Sequence, residues 1–128
     1  VISVEFMNAT EVHQDVAREI GDRVYFLSAP SVGMIKIGTS FQPGRRFAEV
    51  ALMSPVSLEF IGSVAGGSSV ETEWHRRWAH LRTHGEWFSL TPELADEITL
   101  ASMADRWNRL SPAGRDQFRR AAMARVER

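Results

Sequence analysis

The chain has 128 residues, 44% hydrophobic and 24% charged, which suits one domain with a real core and excludes a disordered polyelectrolyte. Its formal net charge is −1, so any surface for nucleic acid must be local rather than global. The absence of cysteine excludes disulfides, thiolate zinc sites and thiol nucleophiles, and no apolar run or leader pattern points to a membrane, so a cytoplasmic protein is expected.

Residues 1–7 alternate loosely and read as a short strand or an arm. The chain opens on Val1 rather than methionine, which leaves room for an upstream segment. Asn8 or Thr10 then offers a helix cap. Val12, Val16 and Ile20 recur every four residues, and Gly21-Asp22 stops the helix. This accessory helix occupies 1–22. Its His13 reads as a solvated side chain.

Residues 24–27 and 35–38 are dense in β-branched and aromatic residues and read as strands. Residues 28–34 between them are rich in turn formers, so the pair reads as a hairpin. Alternation puts Ile35 and Ile37 on one face and Lys36 on the other, with Tyr25 beside Lys36. After Gly38 a short connection leads to a helical pattern from Arg45, close enough for Arg46 to reach back over Tyr25 and Lys36. Phenol, ammonium and guanidinium on one surface suit a phosphate. Arg45 reads as solvated.

Residues 56–64 read as a third strand, with Leu58, Phe60 and Gly62 opposite Ile61 and Val64. Ala65-Gly66-Gly67 lacks the spacing of a phosphate loop. Ser68-Ser69-Val70-Glu71 reads as a capping box opening a helix, with Val70, Trp74, Trp78 and Leu81 as its buried stripe. Glu71, His75 and Arg82 share a neighbouring stripe. Capping and metal binding compete as readings of Glu71, and no third ligand for a structural zinc is evident. Gly85 marks a tight turn, and Trp87 and Phe88 read as core packing rather than as a stacking platform for bases. Thr91-Pro92-Glu93 starts another helix, with Leu94, Ile98, Ala101 and Trp107 on its apolar side. Ser111-Pro112 begins a last one, with Phe118, Ala121, Ala122 and Val126 apolar. Its arginines, Arg115, Arg119, Arg120, Arg125 and Arg128, suit either phosphate contact or a solvated face or oligomer contact.

Taken in order, Val24-Tyr25-Phe26, Ile35-Lys36-Ile37-Gly38-Thr39-Ser40, Arg46, Glu71 with His75, and Gly85-Glu86-Trp87-Phe88 resemble the GIY-YIG nuclease superfamily. Its phage and meiotically up-regulated branch is the nearer likeness. The resemblance spans roughly residues 23–100. It implies an α/β (α+β) domain at 23–103 with a small three-stranded, mainly antiparallel sheet flanked by helices. Helical extensions lie at both ends, the C-terminal, arginine-rich one covering 104–128, and dimerisation through the terminal helices stays open.

The activity it implies is metal-dependent hydrolysis of phosphodiesters in nucleic acid, DNA before RNA. Glu71 would hold one Mg²⁺ or Mn²⁺, Arg46 a non-bridging oxygen, and Tyr25 the attacking water. His75 would transfer a proton or orient Glu71. Lys36 stands where the best-known members carry a second motif tyrosine. It reads as a base or as a phosphate-binding cation. Glu86 belongs to the resemblance without a chemical role. Two alternatives remain beside the endonuclease: a nucleic-acid-binding module with little or no cleavage, and a protein-interaction or regulatory domain.

Overall fold

A computed structural model describes residues 21–126. The expected strand or arm at 1–7, the accessory helix and His13 lie outside the described residues. Strand β1 (Arg23–Ala29) turns through a short 3₁₀ segment into β2 (Met34–Ser40). Gly33 makes the turn at φ 63°, a conformation that glycine adopts without the Cβ penalty. Helix α1 (Pro43–Met53) follows, with Pro43 at its first position, where a missing N–H costs nothing. Then come β3 (Glu59–Ala65), α2 (Ser68–Arg77), the short strands β4 (Arg82–His84) and β5 (Trp87–Ser89), and helices α3 (Pro92–Arg109) and α4 (Pro112–Val126). Thr91 caps α3 by accepting from the Leu94 N–H at 3.2 Å.

The fold is α+β, but the sheet has five strands in the order β3-β1-β2-β5-β4, all pairs antiparallel, and this corrects the expected three. The two extra strands form the hairpin on either side of Gly85, where the sequence suggests only a turn. Each is three residues long, too short for alternation to register. Gly85 sits at φ 56°, and Arg82 Nε donates to its carbonyl at 2.7 Å.

The sheet is covered on both faces. On one, Val24, Phe26, Ile35, Ile37, Val64 and Phe88 pack with Trp74 of α2 and with Leu94 and Ile98 of α3. On the other, Tyr25, Leu27 and Ala29 pack with Leu58 and with Phe47, Val50 and Ala51 of α1. Complete burial of a side chain such as Phe88 contributes about 1.5–3 kcal/mol. Trp74 is buried and Val70, Trp78 and Leu81 pack partly against the core, as their helical spacing suggests.

A second correction concerns β3. The register slips between Phe26 and Leu27, whose partners are Gly62 and Phe60, so Ile61 is the extra residue of a bulge. The alternation resets there, and Gly62 shares the face of Val64 instead of opposing it. A Cβ on Gly62 would lie 2.1 Å from Ser102 Oγ, so the bare backbone lets α3 settle on β3.

Arg23, Ser63 and Asp105 fix that contact. Arg23 is 6% exposed, and its Nη2 donates to Ser63 Oγ at 2.9 Å and to Asp105 Oδ2 at 2.6 Å. Asp105 Oδ1 accepts the Ala65 N–H at 3.0 Å, and Arg109 Nε donates to Oδ2 at 2.9 Å. In the C-terminal hairpin Arg115 and Arg119 lie over the Trp107 ring at 5.2 and 5.0 Å, and Arg120 pairs with Asp116.

Candidate active site

The site forms where β2 outruns its neighbour β5. Their pairing covers only Met34, Ile35 and Lys36, with one further bond from the Ile37 N–H to the Glu86 carbonyl at 2.9 Å. Beyond it, helix α2 finishes the edge with side chains. His75 Nε2 lies 2.8 Å from the Ile37 carbonyl, and the Thr39 N–H faces the Glu71 carboxylate. A carbonyl only accepts, so His75 carries a proton on Nε2 and leaves Nδ1 as its second ring nitrogen. The ring also packs 5.0 Å from Phe88, centroid to centroid. The four-residue spacing of Glu71 and His75 therefore matches two successive positions on a strand edge.

Glu71 does not cap its helix. Gly67 occupies the cap position without a side-chain bond, Ser68 is the first helical residue, and the Ser68 carbonyl accepts from Thr72 Oγ1. The capping-box reading is thereby corrected, and the Glu71 carboxylate is left for other work. Its Oε2 is buried with no hydrogen-bond partner among the described residues. Burial and then the neighbouring Glu86 charge push its pKa above the ordinary carboxylate value, against the pull of His75, Lys36 and the Thr39 N–H.

Lys36 and Tyr25 sit on the α1 face, as alternation requires. Tyr25 is paired with Gly38 and Leu27 with Lys36, so phenol and ammonium are neighbours on one strand pair. The phenol needs Gly38: a Cβ there would lie 2.6 Å from Tyr25 Oη and 3.0 Å from Glu86 Oε2. Tyr25 is 1% exposed. Arg46 reaches back from α1 to hydrogen-bond its hydroxyl. That contact raises the guanidinium pKa most, burial opposes it, and Glu49, 3.4 Å away, adds to the rise. Arg45 points outward to Glu49.

Glu86 joins these groups. Its Oε2 accepts from Lys36 Nζ at 2.6 Å, and Lys36 also lies 5.9 Å from the Trp87 ring centroid. All five sequence-selected residues, Tyr25, Lys36, Arg46, Glu71 and His75, thus gather around the open end of β2. Glu86 is the member to which the sequence assigned no chemistry. Its signal is acidity next to a glycine turn, which gains meaning only once the hairpin is known to fold beside β2. Trp87 and Phe88 straddle β5, Phe88 buried in one core and Trp87 packed against the other.

A family model, the T5orf172 domain, matches residues 22–107. The chain belongs to the T5orf172 domain family. That family is GIY-YIG-like, so the chain is a nuclease-like, nucleic-acid-related module. The match includes β1 through most of α3, and so every residue of the site just described. No curated protein and no solved structure matches the chain. No helix among the described residues is long and apolar enough to cross a membrane.

Glu71 is the residue here that could hold a hard divalent ion. Among the described residues, no three His, Cys, Asp or Glu side chains group as a metal cage. One carboxylate with an orphaned, buried oxygen is what Mg²⁺ accepts when waters and substrate phosphate complete its shell.

Proposed function

We propose that this T5orf172 domain is a metal-dependent endonuclease that hydrolyses phosphodiester bonds in DNA. The observation that carries the reading is the convergence of Tyr25, Lys36, Arg46 and Glu71 at one strand end, from four separate elements. Packing alone gives no reason to collect a phenol, two cations and a partnerless carboxylate oxygen there. Kinship with the phage and meiotically up-regulated branch rests on Ile35-Lys36-Ile37-Gly38, on Glu71 with His75, and on Gly85-Glu86-Trp87-Phe88.

Each side chain has a physical task in this mechanism. Glu71 would hold Mg²⁺ or Mn²⁺, which when bound neutralises charge on the cleaved phosphate and its leaving oxygen. Arg46 donates to a non-bridging oxygen and stabilises the charge that grows in the transition state. Tyr25 orients the attacking water. Lys36 acts as a phosphate-binding cation: its Nζ already holds one anionic oxygen, that of Glu86, at 2.6 Å. His75 keeps Glu71 in place: its Nε2–H is committed to the Ile37 carbonyl, one helical turn from the carboxylate.

A second reading, a nucleic-acid-binding module that cleaves little or not at all, is favoured by two observations. The Tyr25 hydroxyl is buried and Lys36 is already paired. Nicking of a supercoiled plasmid in Mg²⁺ or Mn²⁺ separates the two. The endonuclease reading expects cleavage that falls about 100-fold or more in both Glu71→Gln and Arg46→Ala. Equal cleavage by wild type and both variants would sink it, and DNA binding without any cleavage would favour the second reading.

A further inference from the structure

The Lys36–Glu86 pair closes the site from outside. Side-chain exposure is 12% for Lys36 and 39% for Glu86, so the carboxylate is the outer member and the ammonium the inner one. The same carboxylate oxygen stands against Gly38, beside the Tyr25 hydroxyl. A substrate phosphate approaching Lys36 or Tyr25 therefore meets Glu86 first, and two anions cannot share that place at low cost.

The hairpin holds Glu86 firmly by its backbone and loosely by its side chain. Its carbonyl accepts from Ile37 and the adjoining Gly85 carbonyl from Arg82, so the main chain is anchored on both sides of the turn. Nothing lies within 4 Å of the position a Cβ would take on Gly85, which leaves open space at the tip. The Glu86 carboxylate is the more exposed member of its pair, so it borders solvent.

We propose that Glu86 is a positioning residue that acts as an anionic latch: its carboxylate occupies the place on Lys36 that a backbone phosphate of the substrate takes, and binding exchanges one for the other. The substrate class rests on the endonuclease reading, but the exchange itself needs only a phosphodiester. The latch keeps Lys36 aimed at the site in the free protein. It also sets a threshold, since only a ligand that replaces a full negative charge on Lys36 opens the way to Tyr25.

The test is binding of a short fluorescently labelled DNA duplex, by anisotropy, in low salt with EDTA so that cleavage does not intervene. Glu86→Gln keeps an oxygen acceptor for Lys36 but loses the charge. It is expected to bind about fivefold tighter than wild type, the size of one screened charge contact. In a Lys36→Met background the same change is expected to have no effect. That coupling is something a merely structural role for Glu86 would not produce. Glu86→Ala, checked for an intact fold by its thermal transition, should repeat the gain. Equal or weaker binding by Glu86→Gln overturns the latch, as does a gain that persists without Lys36 or duplex binding by no variant. Cleavage in Mg²⁺ with no such gain removes the latch and leaves the endonuclease standing. A gain without cleavage does the reverse.

Discussion

Two charged clusters flank the same hairpin, and they are built on opposite principles. At the start of β1, Arg23 meets Asp105, and both oxygens of that carboxylate have donors from β1, β3 and α3. At the end of β2, Glu71 has one oxygen with no partner and a like charge in Glu86 nearby. Burial acts against the charge in both. At Asp105 the Arg23 hydrogen bond, the Ala65 N–H and Arg109 outweigh it, and the pKa falls below the ordinary value. At Glu71 burial and Glu86 win, and the pKa rises. A buried carboxylate with donors on both oxygens holds a fold together. One that stays unsatisfied is a place where a ligand can supply what is missing.

The largest effect should come from removing the satisfied carboxylate. Asp105→Ala strips a buried guanidinium of its carboxylate and frees the edge of β3 from α3. A loss of about 3–5 kcal/mol in chemical denaturation is expected. Acid should find the same weak point. A carboxylate with a lowered folded pKa contributes stability above its unfolded value near 4, and that contribution disappears as pH falls through the lower folded value. Thermal scans from neutral pH down to strong acid should therefore show a drop in wild type that is smaller in Asp105→Asn. Parallel profiles would mean that the clamp carries little of the stability.

Two of the glycines that admit close contacts sharpen the contrast. Alanine at Gly62 drives a Cβ into Ser102 on α3, and alanine at Gly38 drives one into the Tyr25 ring and hydroxyl. Each should cost about 1–3 kcal/mol of stability by overpacking. Their functional costs should differ. Gly62→Ala should cleave nearly normally below its lowered melting temperature, and Ser102→Gly should restore much of that temperature. Gly38→Ala moves the phenol and is expected to lose about 100-fold in cleavage at any temperature. Similar activity in the two variants would argue that the position of Tyr25 is immaterial.

Much of this was legible in the sequence because it follows from local pattern. Alternation in β1 and β2 put Tyr25 beside Lys36, and the short link to α1 brought Arg46 back over them. What was not legible depends on non-local pairing. Three-residue strands carry no readable period, so β4 and β5 and the placement of Glu86 stayed hidden. A bulge at Ile61 is invisible until a partner strand defines it. Ser68 and Glu71 have the letters of a capping box, but the helix starts one residue earlier than that motif requires. The sequence rule and the tertiary position of Glu71 competed, and the exposed edge of β2 won.

The smallest effect tests the unsatisfied cluster in isolation. Glu71→Gln keeps the shape of the side chain, removes its repulsion with Glu86 and places donors where Oε2 has no partner. A carboxylate whose folded pKa is raised makes the folded state less stable once pH exceeds that value, so its removal should raise Tm by a few degrees at neutral pH. The sign is opposite to that at Asp105. As pH falls toward the ordinary glutamate value, wild-type Glu71 takes up its proton and the gain should vanish. The same substitution is the one expected to abolish cleavage, so a variant that is more stable and less active would show stability given up for chemistry at this one carboxylate. A Glu71→Gln protein that melts lower than wild type at neutral pH would mean that Glu71 is a structural ligand of the Thr39 edge, and the contrast with Asp105 would collapse.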